Sequence, residues 1–175
     1  IKLKPGLVGG HCISVDPYYL IQKAQVYGIL PRIMSNARHL NDSMGNYVGK
    51  QVIKLMNKKG ILVKDARILI LGTTFKDCPD IRNTKVIDIY TILHEYSNNI
   101  VVYDPWVDTL KMKRVYGIDV ETKADNLPVG RFDVVVLAVA HRQFLNMDIR
   151  QYLQPAGIIY DVKSVLPVSW VDGRL

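Results

Sequence analysis

The chain has 175 residues, 49% of them hydrophobic, which suits one good core with an appended element. It contains no apolar run of membrane-spanning length, and Ile1-Lys2-Leu3-Lys4 does not read as a signal peptide. The net charge of +7 sits within residues 1–60, where nine Lys and Arg face two acids, while residues 61–175 are neutral; this favours an anionic ligand, and the lack of a basic block interleaved with aromatics argues against nucleic acid.

The first informative segment is Pro5-Gly6-Leu7-Val8-Gly9-Gly10-His11-Cys12-Ile13-Ser14-Val15-Asp16-Pro17. Three glycines within five positions let the backbone bend sharply and approach a ligand closely. A thiol at the end of such a loop, just before a helix opened by Asp16-Pro17, is an arrangement for covalent catalysis. The competing reading of Cys12 is a buried free cysteine in a turn. Cys78 is the second cysteine; without secretory features both are expected as reduced thiols in a cytoplasmic setting, and nothing supports a disulfide between them. The two cysteines and four scattered histidines offer no metal-ligand spacing.

A helix is expected from Asp16 to Tyr27, with Tyr19, Leu20, Lys23, Ala24 and Tyr27 at helical spacing and Gly28 and Pro31 ending it. Ser35 or Asn36 can cap a second helix that runs to about Lys59 and stops at Gly60. Its apolar stripe is Leu40, Met44, Tyr47, Val48, Val52, Leu55 and Met56. A helix of this length with an apolar stripe must pack on something, and the plain reading is packing on the domain that follows. From Ala66 the pattern alternates. Strands are expected at 67–72, 99–103, 132–139 and 157–162, with helices from Asn83 or Thr84 to about Tyr96 and from Asp108 to Tyr116. The fold class is therefore α/β: a helical segment over residues 1–60, then a Rossmann-like, doubly wound parallel sheet over 61–175.

Parallel sheets bind ligands at the carboxyl ends of their strands. Those ends carry Gly72-Thr73-Thr74-Phe75-Lys76, Tyr103-Asp104-Pro105, Ala138-Val139-Ala140-His141-Arg142 and Asp161-Val162-Lys163. Two lysines, an arginine and a histidine there suit a phosphate-bearing ligand. Gly72 stands without the further glycines of the dinucleotide fingerprint, which argues against this being an NAD domain.

Residues 6–19, Gly-Leu-Val-Gly-Gly-His-Cys-Ile-Ser-Val-Asp-Pro-Tyr-Tyr, resemble the catalytic-cysteine motif of the UDP-glucose/GDP-mannose 6-dehydrogenase family. The wording around His11 and Asp16-Pro17-Tyr18-Tyr19 is most similar to the branch acting on UDP-N-acetylhexosamines. Thr74-Phe75-Lys76, Pro79-Asp80-Ile81-Arg82-Asn83, Tyr103-Asp104-Pro105-Trp106 and Tyr160-Asp161-Val162-Lys163 extend the resemblance over essentially the whole chain.

The resemblance implies the C-terminal part of a longer enzyme, with a central helical region contributing to a homodimer and a domain binding the UDP-sugar substrate. NAD would be held mainly by an N-terminal domain outside this chain, so the chain alone is expected to be inactive. The implied reaction oxidises the sugar C6 alcohol to a carboxylate through a thiohemiacetal and a thioester on Cys12, for surface polysaccharide synthesis. Asp16 would help activate the hydrolytic water, or cap the helix, or both. Gly9 and Gly10 would wrap the sugar, with Val8 where other branches carry an aromatic. Phe75 and Lys76 would contact the UDP-sugar, and Lys163 would be a further basic residue at that site. Arg82 would lie near the cofactor, or be an exposed capping arginine. Only Asp77 separates Lys76 from Cys78, one residue fewer than this branch leads one to expect, and such a shortening could displace Asp80 and Arg82; Cys78 is read as packing. The alternatives are a UDP-glucose or GDP-mannose 6-dehydrogenase, or a non-catalytic module for nucleotide-sugar binding and dimerisation.

Overall fold

The computed structural model describes residues 6–75 and 77–175, so the expectations for Lys76 fall outside the described residues. Two helices come first, α1 (Asp16–Val26) and α2 (Arg32–Lys58). A parallel α/β unit follows: β1 (Ile68–Leu71), α3 (Val86–His94), β2 (Ile100–Tyr103), α4 (Thr109–Tyr116), β3 (Phe132–Leu137), α5 (Arg142–Leu145), β4 (Leu153–Asp161) and β5 (Gly173–Arg174). The five strands are parallel in the order β2-β1-β3-β4-β5.

β1 is Ile-Leu-Ile-Leu and wholly buried, as a central parallel strand covered on both faces must be. Its residues alternate between two cores. Ile68 and Ile70 join Val134, Val136, Ile158 and Tyr160 under α2, α3 and α4. Leu69 and Leu71 join Val135, Leu137 and Ile159 on the opposite face, where short elements carrying Phe144, Ile149 and Tyr152 cover the sheet. The doubly wound expectation holds, with helical cover that is heavy on one face and thin on the other.

Local chemistry sets several boundaries. The Asp108 carboxylate accepts from the Lys111 N–H at 3.0 Å to open α4, and Gly117, at φ +73°, closes it in the left-handed region. α2 starts at Arg32 after Pro31 with no side-chain cap, so neither Ser35 nor Asn36 caps it. Its buried positions are Arg38, Gly45, Val48, Gly49, Val52 and Met56; Leu40, at 65% exposure, and Tyr47 face outward instead. Gly45 and Gly49 lie against α3, where an added Cβ would stand 2.6 Å from the Lys85 carbonyl oxygen and 2.8 Å from Ile92 Cγ2. The glycines thus let two helices cross nearly backbone to backbone. α1 buries only Ile21, while Tyr19, Leu20 and Tyr27 are exposed. β5, a two-residue edge strand beside the end of β4, was not expected.

The chain leaves β1 toward β2 and returns through β3 on the other side of β1. This places the topological switch between the carboxyl ends of β1 and β3, the position at which open α/β sheets bind ligands.

Candidate functional site

A cavity of about 410 Å³ opens at that switch. Thr74 and Phe75 line it from the end of β1, Ala138, Val139, Ala140 and Arg142 from the end of β3, and Lys163 from the end of β4. Leu7 and Gly9 of the cysteine loop close another side, and Thr84 and Lys85 contribute from the start of α3. The space lies within the usual size range for a small-ligand site. Of the residues picked out in the sequence, the structure brings Gly9, Phe75 and Lys163 together here.

Lys163 is half-buried, and desolvation holds its ammonium below the usual lysine value. A Cβ on Gly6 would fall 2.2 Å from Lys163 Nζ, so a larger residue there would push the flexible end of the lysine from its place beneath the loop. Lys85, missed in the sequence reading, ion-pairs with Asp42 of α2 at 3.2 Å and with Asp88 at 3.5 Å. Asp42 also accepts from the Tyr18 hydroxyl of α1, so a polar chain runs from the helix after Cys12 to the cavity wall. The signal for Lys85 was its place at the amino end of a helix that follows a strand.

Cys12 is exposed and reduced. Its carbonyl accepts from the N–H groups of Val15 at 2.9 Å and Asp16 at 2.8 Å, which fixes the loop on the first turn of α1. Asp16 is exposed and occupies the first helical position; Val15 is the cap residue and no side chain caps the helix, so the capping reading of Asp16 is corrected. The loop is bound in turn to residues 80–83. The Gly10 N–H donates to the Arg82 carbonyl at 3.1 Å, Asn83 Nδ2 donates to the Gly10 carbonyl at 3.2 Å, and His11 Nδ1 stands 3.5 Å from Asp80. Gly10, at φ +95°, lies with its Cα open toward Phe75. Val8 is partly buried in the same loop. Cys12, Asp16, Val8, Gly10 and Arg82 therefore flank the cavity rather than line it.

Asp80 and Arg82, which follow the Asp77-Cys78 turn, are paired with each other. Arg82 donates through Nε and Nη2 to the two Asp80 oxygens at 2.8 and 2.9 Å, a bidentate pair that holds the Asp80 carboxyl far below the usual range. The same bond raises Arg82. Cys78 is half-buried, and its thiol donates to the Phe75 carbonyl at 2.8 Å, so it closes the loop locally rather than filling the core.

The turn after β1 does not fit a dinucleotide. A Cβ on Gly72 would meet Val139 Cβ at 2.6 Å, and Thr73 and Thr74 direct their N–H groups onto Asp104 at 2.6 and 2.7 Å. The amides that would cradle a pyrophosphate are thus already satisfied. Among the described residues, no group of His, Cys, Asp and Glu is arranged to hold a metal, and no helix is long and apolar enough to cross a membrane.

Residues 69–168 match the UDP-binding domain of the UDP-glucose/GDP-mannose dehydrogenase family, and residues 1–43 match its central domain. The chain is 48% identical to the UDP-N-acetyl-D-glucosamine 6-dehydrogenase of Salmonella typhi and 47% identical to that of Pseudomonas aeruginosa. Both alignments cover all of this chain but only 41% and 42% of those relatives, so the chain spans about two fifths of their length. Among solved structures, the UDP-N-acetyl-mannosamine dehydrogenase of Staphylococcus aureus superposes with a TM-score of 0.68 at 27% identity, over 98% of this chain and 38% of that one. The NDP-N-acetyl-D-galactosaminuronic acid dehydrogenase of Methanosarcina mazei shares the fold, with a TM-score of 0.82 at 19% identity over 99% of this chain and 39% of that one. With residues 69–168, more than half of its length, matching the UDP-binding domain, the chain belongs to the UDP-glucose/GDP-mannose dehydrogenase family.

Proposed function

We propose that the chain is the C-terminal part of a UDP-N-acetylhexosamine 6-dehydrogenase, with residues 1–60 ending the central helical region and 61–175 forming the UDP-sugar domain. The carrying observation is the cysteine loop hydrogen-bonded onto the rim of a switch-point cavity that holds Lys163 and Phe75. The relatives at 48% and 47% identity favour an acetamido sugar over glucose or mannose.

In this reading the diphosphate lies by Lys163, with Lys76 as a second cation, and the sugar extends beneath Gly9 and Gly10 toward Cys12. NAD would supply the acceptor for the two hydrides removed at C6; the turn after β1 does not fit it, so it would be held by a segment outside this chain. Cys12 adds as a thiolate to the C6 aldehyde, forming a carbon–sulfur bond. The oxidised adduct is a thioester, and water attacks its carbonyl, expelling the thiolate and leaving the carboxylate. A thiol suits both steps because it adds readily to carbonyls and departs readily from acyl carbon. Asp16, at the start of α1 four residues after Cys12, accepts the proton of that water. Arg82 is assigned to the border with the cofactor segment, where its pairing with Asp80 leaves it exposed. The exposed apolar residues of α1 and α2, including Ile33 at 87%, support a homodimer through these helices. The setting is cytoplasmic, supplying uronic acids for surface polysaccharide.

The test is NADH formation by the full-length protein with NAD⁺ and UDP-GlcNAc, UDP-GalNAc, UDP-ManNAc or UDP-glucose. Two NADH per acetamido sugar are expected. Cys12→Ser should abolish turnover and keep UDP binding; full activity in that variant eliminates the nucleophile assignment. UDP binding with no turnover on any substrate would favour the alternative of a binding and dimerisation module.

A further inference from the structure

His141 lies fully buried at the end of β3, and both of its ring nitrogens have partners. Nδ1 is 3.0 Å from Asp77 Oδ1, while Nε2 is 3.4 Å from Asp104 Oδ2 and 3.2 Å from Thr74 Oγ1. The ring also packs on Phe144, with centroids 5.3 Å apart, so apolar contact holds the orientation that the polar contacts use.

The two carboxylates play unequal parts. Asp104 is fully buried, and one oxygen accepts from the N–H and hydroxyl groups of both Thr73 and Thr74 at 2.6–3.0 Å. It is a fixed part of the sheet edge. Asp77 has a side chain one third exposed and belongs to the loop after Phe75. That loop closes on itself, through the Phe75 N–H to the Asp80 carbonyl at 3.0 Å and the Cys78 thiol to the Phe75 carbonyl. Asp77 meets two side chains after β3, the exposed Arg142 at 3.7 Å and His141 at 3.0 Å, and only the His141 contact joins this closed loop to the buried frame. It does so beside the cavity, which both Phe75 and Asp77 line.

We infer that His141 is a positioning residue: by tying Asp77 to the Asp104 frame, it holds the Phe75 loop in the conformation that accepts a nucleoside diphosphate. This rests on the proposed reading of the cavity as the UDP-sugar site. A ligand that needs the loop in place binds with an apparent Kd raised in proportion to the loss of the competent population. Without the tie the loop is in place only part of the time, so binding weakens. The chemistry at Cys12, whose loop is held separately through the contacts of Gly10 to residues 82 and 83, is affected less.

The experiment uses the full-length protein with Asp77→Ala, Asp77→Asn and His141→Asn. UDP is titrated by calorimetry, steady-state kinetics are measured with the UDP-sugar, and hydrogen–deuterium exchange is followed over residues 73–80 without ligand. Asp77→Ala should raise the Kd for UDP and the KM about tenfold, with a smaller change in kcat. Asp77→Asn keeps an acceptor for Nδ1–H and should fall between parent and alanine. Exchange over 73–80 should quicken in Asp77→Ala while the strands remain protected. The double variant should be little worse than His141→Asn alone, because both changes remove the same tie and the pair of Asp77 with the exposed Arg142 adds little. If His141→Asn fails to fold, the exposed Asp77 variants decide. Parent values of Kd, KM and exchange in Asp77→Ala overturn the inference, as does faster exchange with an unchanged Kd. A parent protein that binds no UDP removes the ligand reading and the inference with it, and the exchange data then show separately whether the tie itself exists.

Discussion

Gly10 and Asn83 hold the cysteine loop and the sheet domain together: the Asn83 side-chain amide donates to the Gly10 carbonyl at 3.2 Å, and the Gly10 N–H donates to the neighbouring Arg82 carbonyl at 3.1 Å. Asn83 sits at φ +52°, in the left-handed region that asparagine tolerates better than most side chains. Asn83→Ala should therefore lose a hydrogen bond and incur backbone strain, lowering stability by about 2 kcal/mol. Asn83→Gly keeps the backbone free and loses only the bond, so it should lie closer to the parent. Both should lower kcat in the full-length protein, because Cys12 follows two residues after Gly10. Urea denaturation separates the strain from the bond, and equal stability of the two variants would refute the strain component.

The crossing of α2 on α3 gives the opposite lesson about glycine. Alanine favours a helix over glycine by about 1 kcal/mol, yet Gly45→Ala should destabilise the chain. Its Cβ would stand 2.6 Å from both the Lys85 carbonyl oxygen and Asp88 Cβ, and a backbone oxygen cannot move aside. A net loss of about 1–3 kcal/mol is expected from overpacking. Gly49→Ala meets the Ile92 side chain at 2.8 Å, with the nearest backbone oxygen at an ordinary 3.6 Å, and should cost less. Equal or raised denaturation midpoints for Gly45→Ala would show that the helices can separate without loss.

Much of this architecture could be read from the chain. The run Ile68–Leu71 is apolar at every position because a central parallel strand is covered on both faces. The four strand ends named beforehand do meet at the cavity or beside it. The apolar stripe on α2 was partly misread because hydrophobic periodicity cannot distinguish a face against the sheet from one left exposed. Leu40 and Tyr47 fit the stripe but face outward, whereas Gly45 and Gly49, which periodicity ignores, mark the real contact. Lys85 escaped notice, and Asp77 was read only for its spacing, because their importance lies in partners 43 and 64 residues away, Asp42 and His141. β5 has two residues and no pattern of its own; it forms only because the chain returns beside Tyr160 and Asp161.

Asp104 ties acid stability to the same sheet edge. Burial alone would raise its carboxyl, but hydrogen bonds from His141 and from the N–H groups of Thr73, Thr74 and Trp106 outweigh it and bring the value down to about 2, against 3.8 ordinarily. A carboxyl depressed in the folded state stabilises the fold above its unfolded value, and that contribution is lost as pH falls from about 4 toward 2. The amount is on the order of 2 kcal/mol. Asp104→Asn should lower the urea midpoint at neutral pH and flatten its decline over that acid range. A variant that declines as steeply as the parent would place the acid sensitivity elsewhere.

Lys163 carries the complementary prediction for ligand binding. Desolvation beneath the glycine loop holds its ammonium below the ordinary 10.5, so a larger fraction is neutral at a given alkaline pH than for a free lysine. Only the charged form attracts a diphosphate. The Kd for UDP should thus rise as pH climbs from neutral through the lowered value, and binding on the alkaline side should take up protons. Lys163→Met keeps the apolar stem and removes the charge, so the fold should be at least as stable as before. UDP affinity should fall about tenfold or more, as expected for loss of a charge-assisted contact. The same variant should lose the proton uptake seen when calorimetry is repeated in buffers of different ionisation heat. Unchanged affinity and unchanged uptake in Lys163→Met would move the phosphate contact away from the end of β4.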